Sequence, residues 1–198
     1  MDKDLFLKRI ESYVKGLFEN DVTGHDYFHM KRVAKKARQI AEKEGAHLFV
    51  TEAAGWLHDI GDAKLFADSN QARKMMNDFL MELKVPAEMI TDIETAIEDV
   101  SFSKGKVPDT LEGRIVQDAD RLDAIGAVGI ARTFAFGGAK GQLIHDEEQG
   151  NTSIQHFYDK LLTLKDKMNT ESAKQEALER HEFMEAYLKH FYQEWHTC

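Results

Sequence analysis

Four residues in three separated segments have the chemistry of a metal shell: His29, the adjacent pair His58 and Asp59, and Asp120. Two imidazoles and two carboxylates make a mixed nitrogen and oxygen donor set. Such a set suits a divalent ion used as a Lewis acid better than a closed structural zinc site. Nine histidines and 35 acidic residues will also supply such a scatter by chance, so local context has to carry the argument.

His25 and His29 lie four apart in GHDYFHMKRV, with Arg32 after them. On a helix both rings project from one face, so a metal ligand and a substrate-facing imidazole can share a wall. The same spacing also suits two ordinary, partly exposed histidines. In WLHDIGD the apolar lead-in places His58 and Asp59 at the buried end of a helix. A carboxylate there is costly unless it meets a cation or a metal. Neighbouring helical side chains point roughly 100° apart, so both reach one ion only if it sits over the groove between them. Asp62, at i+4 from His58 and i+3 from Asp59, faces the same region and is the local candidate for proton transfer. QDADRLDAIGA brings Asp118, Asp120 and Asp123 within six residues. Asp120 and Asp123 can share a helical face whereas Asp118 and Asp120 cannot, so one or two of them support the site, paired with a residue such as Arg121 or Arg114. Spacing alone leaves Asp118 and Asp120 both open as the ligand.

The elements that position these residues read as helices almost throughout. Leu5, Ile10, Val14 and Leu17 mark a first helix, and Gly24 breaks the pattern before a second from about Asp26 to Glu44. A third carries Ala53, Ala54, Trp56, Leu57 and Ile60, with Thr51 as N-cap and Gly61 near its end. Helices are expected over 69–83 and 87–100, the latter with Pro86 in its first turn. A polar loop follows over 101–108. Asp109 and Glu112 have capping-box spacing and open a segment reaching Phe136. Gly137, Gly138, Gly141 and Gly150 punctuate a surface loop. FGGAKGQ within it lacks GK[ST] and a preceding strand, so it is read as a loop near the pocket and not as a phosphate loop. Thr152 and Gln155 cap a helix bearing Ile154, Phe157, Tyr158, Leu161, Leu162 and Met168. A last helix carries a stripe of Met184, Tyr187, Leu188, Phe191, Tyr192 and Trp195, read as core packing with a dimer face as the alternative.

Composition bounds the function classes. At 198 residues and 42% hydrophobic content the chain fits one all-α domain over 1–198. No apolar run approaches the roughly 18 residues of a membrane span, and the charged N-terminus does not read as a signal peptide. The expected location is the cytoplasm. The single cysteine, Cys198, ends the chain and allows no internal disulfide. A net charge of −9 argues against a duplex nucleic-acid binder. A small polyanion needs only a local cluster of cations. Candidates are Arg32, Lys36, Lys64, Arg73, Lys104, Lys106 and Arg121, with Lys64 foremost because it follows HDIGDA at the rim of the site.

Together, GHDYFHMKRV, WLHDIGD and VQDADRLDAIGA resemble the HD-domain superfamily of metal-dependent phosphohydrolases, in particular a bacterial subgroup with reported nucleotide pyrophosphohydrolase activity. The resemblance covers about residues 24–146. It implies a compact multi-helix HD-domain bundle with additional C-terminal helices, about 152–197, packed on it. It also makes His29, His58, Asp59 and Asp120 the metal ligands and Asp118 a supporting residue. Dinuclear members add histidines between the HD pair and the last aspartate, and residues 60–119 contain none, so one divalent ion is expected: Mn²⁺ first, with Mg²⁺, Co²⁺, Ni²⁺ or Fe²⁺ as alternatives. HDIGD without a following GYP sets the chain apart from the cyclic-dinucleotide class. The expected reaction is hydrolysis of a (d)NTP to (d)NMP and pyrophosphate, with Asp62, His25 and Lys64 as working groups and Arg32, Lys104 and Arg121 binding substrate. A 5′-nucleotidase or cyclic-nucleotide phosphodiesterase is the alternative within that class, a non-catalytic sensing module or a purely structural helical protein the alternative outside it. A small phosphate substrate and a possible homodimer complete the expected partners.

Overall fold

The computed structural model describes residues 2–22, 24–101 and 105–197; Lys104 and Cys198 lie outside them. Among the described residues the fold is all-α. The helices are α1 (Lys3–Phe18), α2 (Tyr27–Glu44), α3 (Leu48–Leu57), α4 (Ser69–Glu82), α5 (Ala87–Glu98), α6 (Leu111–Asp123), α7 (Gly126–Ala139), α8 (Ser153–Asp159) and α9 (Glu171–Trp195), with a 3-10 helix at Leu161–Lys167. None is long and apolar enough to cross a membrane.

Capping sets most of the helix starts. Asp2, Asp26, Asp68, Thr110, Thr152 and Thr170 each accept a backbone N–H from the first turn with a side-chain oxygen, worth about 1 kcal/mol apiece. Several boundaries differ from the sequence reading, and Gly137 and Gly138, expected in a loop, fall in the last turn of α7. Thr51 lies inside α3, and the cap is His47, whose Nδ1 accepts from Val50 N–H at 3.1 Å. Thr110, not Asp109, caps α6, and Glu112 accepts from the His47 backbone N–H instead of closing a capping box. The segment expected to run to Phe136 breaks at Ile125, because Gly126 takes φ +76°, and α7 leaves in a new direction. That φ is open to glycine without a Cβ penalty. The helix expected after Thr152 likewise stops at Asp159 and continues as the 3-10 turn.

α3 is buried on nearly every face and forms the centre, packed against α1, α2, α5 and α6. Its contact with α2 is close because Gly55 has no side chain: a Cβ there would lie 2.8 Å from Ala34 Cα. α6 crosses both helices, so the C-terminal end of α3, the first turns of α2 and the middle of α6 meet. α1 buries Leu7, Ile10, Val14 and Phe18 in the core, while Leu5 and Leu17 are exposed. On the other side α9 packs on α7, α6 and α2. Met184 and Leu188 of its apolar stripe are buried, and Tyr187 stacks on Phe157 of α8, the packing role expected of that stripe.

Candidate metal centre and adjoining pocket

The junction of α2, α3 and α6 brings His29, His58, Asp59 and Asp120 together. His29 Nε2 lies 3.6 Å from Asp59 Oδ2 and 3.6 Å from Asp120 Oδ1, and His58 Nε2 lies 3.4 Å from Asp59 Oδ1 and 3.8 Å from Asp120 Oδ1. One donor atom from each of His29, His58 and Asp120 falls within 4.8 Å of the others. His29 and His58 are buried, yet neither Nε2 has a hydrogen-bond partner, nor does Asp59 Oδ2. Leaving three buried polar atoms unsatisfied around one point is costly, unless a cation takes them all. A divalent ion fits this donor set.

The far side of each imidazole is already assigned. His58 Nδ1 is 2.9 Å from Gly55 O, a carbonyl that can only accept, so Nδ1 carries the proton and Nε2 presents its lone pair. His29 Nδ1 makes the same kind of bond to Asp123 Oδ2 at 2.8 Å. Asp123 in turn accepts from Arg32 Nε at 2.6 Å and Nη2 at 3.0 Å, and from Arg132 Nη1 at 2.9 Å. Burial opposes charge on all three groups here, and their neighbours outweigh it. The Asp123 and Asp59 carboxylates lift the His29 ring to about 9. The His58 and His29 rings hold Asp59 below the usual carboxylate range, and His29 and Arg32 do the same for Asp123.

Beside this cluster opens a cavity of about 340 Å³, lined by His25, Lys64, Arg132, His156 and Lys160, with Phe136, Gln142 and Asn151 among the rest. Its wall comes from α7, α8 and the loop between them. His25 packs edge-on against His29, ring centroids 5.8 Å apart, and burial pulls its pKa down against the pull of Asp59. Burial also lowers the Lys160 ammonium; Asp120 opposes this, while Lys64 and Arg132 add to it. His156 is lowered by burial and by Lys160. Desolvated, perturbed titratable groups in a cleft next to an acidic cluster mark a candidate functional site.

Of the residues expected to work on substrate, His25 and Lys64 line this cavity and three others are placed elsewhere. Asp62 accepts from Lys64 N–H (2.9 Å) and Ser101 Oγ (3.2 Å), so it braces the turn carrying Lys64. Arg32 forks onto Asp123, and Arg121 is buried, donating to Lys167 O. Asp118, expected to support the metal, is instead turned to the other side of α6. It accepts from Asn169 N–H and Nδ2 and from Thr170 N–H and Oγ1 at 2.7–2.9 Å, fastening the start of α9. Sequence reasoning missed Arg132, His156 and Lys160. Arg132 lies in the GIARTF end of the α6–α7 motif but was given no role there, His156 and Lys160 belong to no motif, and only the fold returns all three to the metal ligands.

The HD domain family pattern matches residues 26–125. The chain is 42% identical over 186 residues to the Bacillus subtilis protein YpgQ, covering 92% of this chain and 90% of that relative. The crystal structure of YpgQ in complex with ADP superposes with a TM-score of 0.86 at 39% identity, over 98% of this chain and 97% of that one. An HD-superfamily hydrolase from Bacillus thuringiensis superposes with a TM-score of 0.82 at 42% identity, over 99% of this chain and all (100%) of the other. With its buried histidine and aspartate donors converging beside a cationic pocket, the chain belongs to the HD-domain family and is a metal-dependent phosphohydrolase.

Proposed function

We propose that the protein hydrolyses nucleoside or deoxynucleoside triphosphates to the monophosphate and pyrophosphate, with His29, His58, Asp59 and Asp120 holding one divalent ion, Mn²⁺ foremost. The observation that carries this reading is the row of cations beside the ligand cluster: Lys64, Arg132 and Lys160 around one cavity, with Lys160 close enough to Asp120 to feel its charge. A single monoester phosphate does not call for that many cations, whereas a triphosphate chain does. The YpgQ complex with ADP supports a nucleotide as the ligand class.

When bound, the ion supplies Lewis acidity toward the phosphoryl group and the attacking water. His25, lowered by burial and facing the cavity, is neutral at physiological pH and accepts the water proton on a ring nitrogen. This replaces Asp62, which is turned to Lys64 N–H and Ser101 Oγ and does not line the cavity. Water adds to the α-phosphorus, the Pα–O–Pβ bond breaks, and its electron pair leaves with pyrophosphate. Lys64, Lys160 and Arg132 balance the charge that develops on the departing group. The test is a panel of nucleotides and phosphate esters incubated with Mn²⁺, Mg²⁺, Co²⁺ and Ni²⁺, with products separated by chromatography. Pyrophosphate plus monophosphate is the expected outcome. Inorganic phosphate from monophosphates or from cyclic nucleotides would assign the site to a nucleotidase or phosphodiesterase instead.

A further inference from the structure

The cavity is polarised. Lys160, which feels the charges of both Asp120 and Lys64, marks the side toward the metal ligands, while Phe136, Gln142 and Asn151 come from α7 and the loop leading into α8. Gln142 Nε2 donates to Asn151 Oδ1 at 2.9 Å. Each amide carries one acceptor oxygen and one NH₂ donor, so this bond leaves Gln142 Oε1 to accept and Asn151 Nδ2 to donate. The backbone holds the pair in place. Gln142 N–H donates to Gly137 O at 2.8 Å, and Ser153 and Ile154 N–H donate to Leu143 and Ile144 O at 3.0 Å, pinning both ends of the loop together. Phe136, 39% exposed, lies on the same wall with Lys140 Nζ 5.8 Å from the centroid on one side of its ring, and the other face is of the kind on which any base can stack.

We propose that Gln142 and Asn151 form the base-reading edge of this pocket and accept both amino and keto bases; the proposal rests on the nucleotide reading above. The breadth follows from the bond between the two amides. If one amide flips, the other must flip with it, because two oxygens or two NH₂ groups cannot face each other. In either arrangement one acceptor and one donor point outward, in opposite order. Adenine and cytosine present an amino donor beside a ring-nitrogen acceptor, and guanine and uracil present a carbonyl acceptor beside a ring N–H. The linked pair meets each in turn, while a ligand without a base gains nothing from it. A single Gln142→Glu change removes that freedom. A carboxylate can only accept, so Asn151 must turn its NH₂ toward it, leaving two acceptors outward. Guanine, with N1–H beside its exocyclic amino group, is the base that supplies two adjacent donors.

The experiment measures kcat and KM with Mn²⁺ for ATP, CTP, GTP, UTP and base-free ribose 5′-triphosphate, using the full chain, the Gln142→Ala/Asn151→Ala variant and Gln142→Glu. The full chain is expected to handle the four nucleotides within about tenfold of one another and to favour all of them over the base-free compound, two neutral hydrogen bonds being worth about tenfold in KM. The double variant should raise KM for the nucleotides by about that factor and leave the base-free compound much less affected. Gln142→Glu should raise the GTP to ATP ratio of kcat/KM by about tenfold or more; this ratio cancels any general repulsion of phosphate by the new charge. Strong preference of the full chain for one base, equal shifts for nucleotides and ribose triphosphate in the double variant, or an unchanged ratio in Gln142→Glu would each overturn the base-reading edge while leaving the nucleotide reading intact. Turnover of other phosphate esters with none of the four nucleotides would overturn both.

Discussion

Replacing Asp123 with asparagine tests whether the carboxylate behind His29 tunes the metal centre or merely fills space. Asp123 accepts four hydrogen bonds: from His29 Nδ1, from Arg32 Nε and Nη2, and from Arg132 Nη1. The introduced amide can place its carbonyl where Oδ2 now sits, keeping the bond to His29 and hence the tautomer. It then sets an NH₂ against Arg32 Nε and withdraws the negative charge that makes the imidazole a stronger donor. Loss of such a partner costs about 10–100-fold in metal affinity, or about 1.4–2.8 kcal/mol. The arginines add a folding cost of about 2–4 kcal/mol, from charge-assisted bonds worth roughly 1.5–3 kcal/mol each, discounted because the Arg32 side chain is 38% exposed and finds water. Titration of Mn²⁺ into metal-free protein by calorimetry reads the first quantity and denaturant unfolding reads the second. A folded variant whose Mn²⁺ Kd stays within about threefold of the parent would refute the reasoning, since coupling of the expected size through His29 would then be absent.

Asp118 and Asp120, two residues apart, are expected to separate cleanly. Asp118→Asn should lower the melting temperature by several degrees, about 1–3 kcal/mol of lost bonds to Asn169 and Thr170, with the Mn²⁺ Kd unchanged. Asp120→Ala should retain its circular dichroism spectrum and lose metal-dependent turnover; the reverse pattern would exchange their roles. Gly55→Ala pushes a Cβ to 2.8 Å from Ala34 Cα, costing about 1–3 kcal/mol. Because Gly55 O also holds His58 Nδ1, metal affinity should fall together with stability, and a variant of parental stability would show that α2 and α3 separate freely. Finally, the metal-free His29 ring, raised to about 9, is protonated at neutral pH. Its partners favour the folded metal-free protein below about pH 6.5, and that contribution is lost as pH rises toward 9, whereas Mn²⁺ must displace the proton and binds about tenfold more tightly per pH unit gained. Calorimetric Kd values at pH 6, 7 and 8 that do not change would contradict this.

How far the site is legible in the sequence depends on whether a role is set by local spacing or by where a distant helix lands. The convergence of His29, His58, Asp59 and Asp120 follows from local features: a histidine in the first turn of α2, an apolar lead-in on α3, and carboxylates in an otherwise apolar α6; His25, expected to share a helical face with His29, instead precedes the α2 cap at Asp26. The helical angle also assigns the three α6 aspartates to different directions. Asp120 and Asp123 lie roughly 60° apart and Asp118 roughly on the opposite side, so one faces the cluster, one the back of His29 and one α9. Their partners were not legible. Arg121 looked like the natural mate for a neighbouring carboxylate, yet it is Arg32 and Arg132, 91 and 9 residues away, that reach Asp123. The α6–α7 break was hidden too, because IGAVGIARTF reads as continuous apolar helix until the positive φ at Gly126 turns it.

That break also divides the labour of the site. The family pattern ends at residue 125, one residue before α7 begins, and contains all four donors of the metal cluster. Arg132, Gln142, Asn151, His156 and Lys160 come after it and supply most of the polar wall of the cavity. The halves are joined mechanically at several points, among them Arg132, which bonds both Asp123 and Gly24 O, and Asp118, which fastens the segment entering α9. A change in the α7–α8 wall can therefore alter which phosphate compound is held without disturbing the donors, whereas a change at Asp123 or Asp118 is felt on both sides. On the proposed reading, substrate choice therefore rests mainly on the C-terminal elements together with Lys64, and the metal-holding donors on α2, the end of α3 and α6.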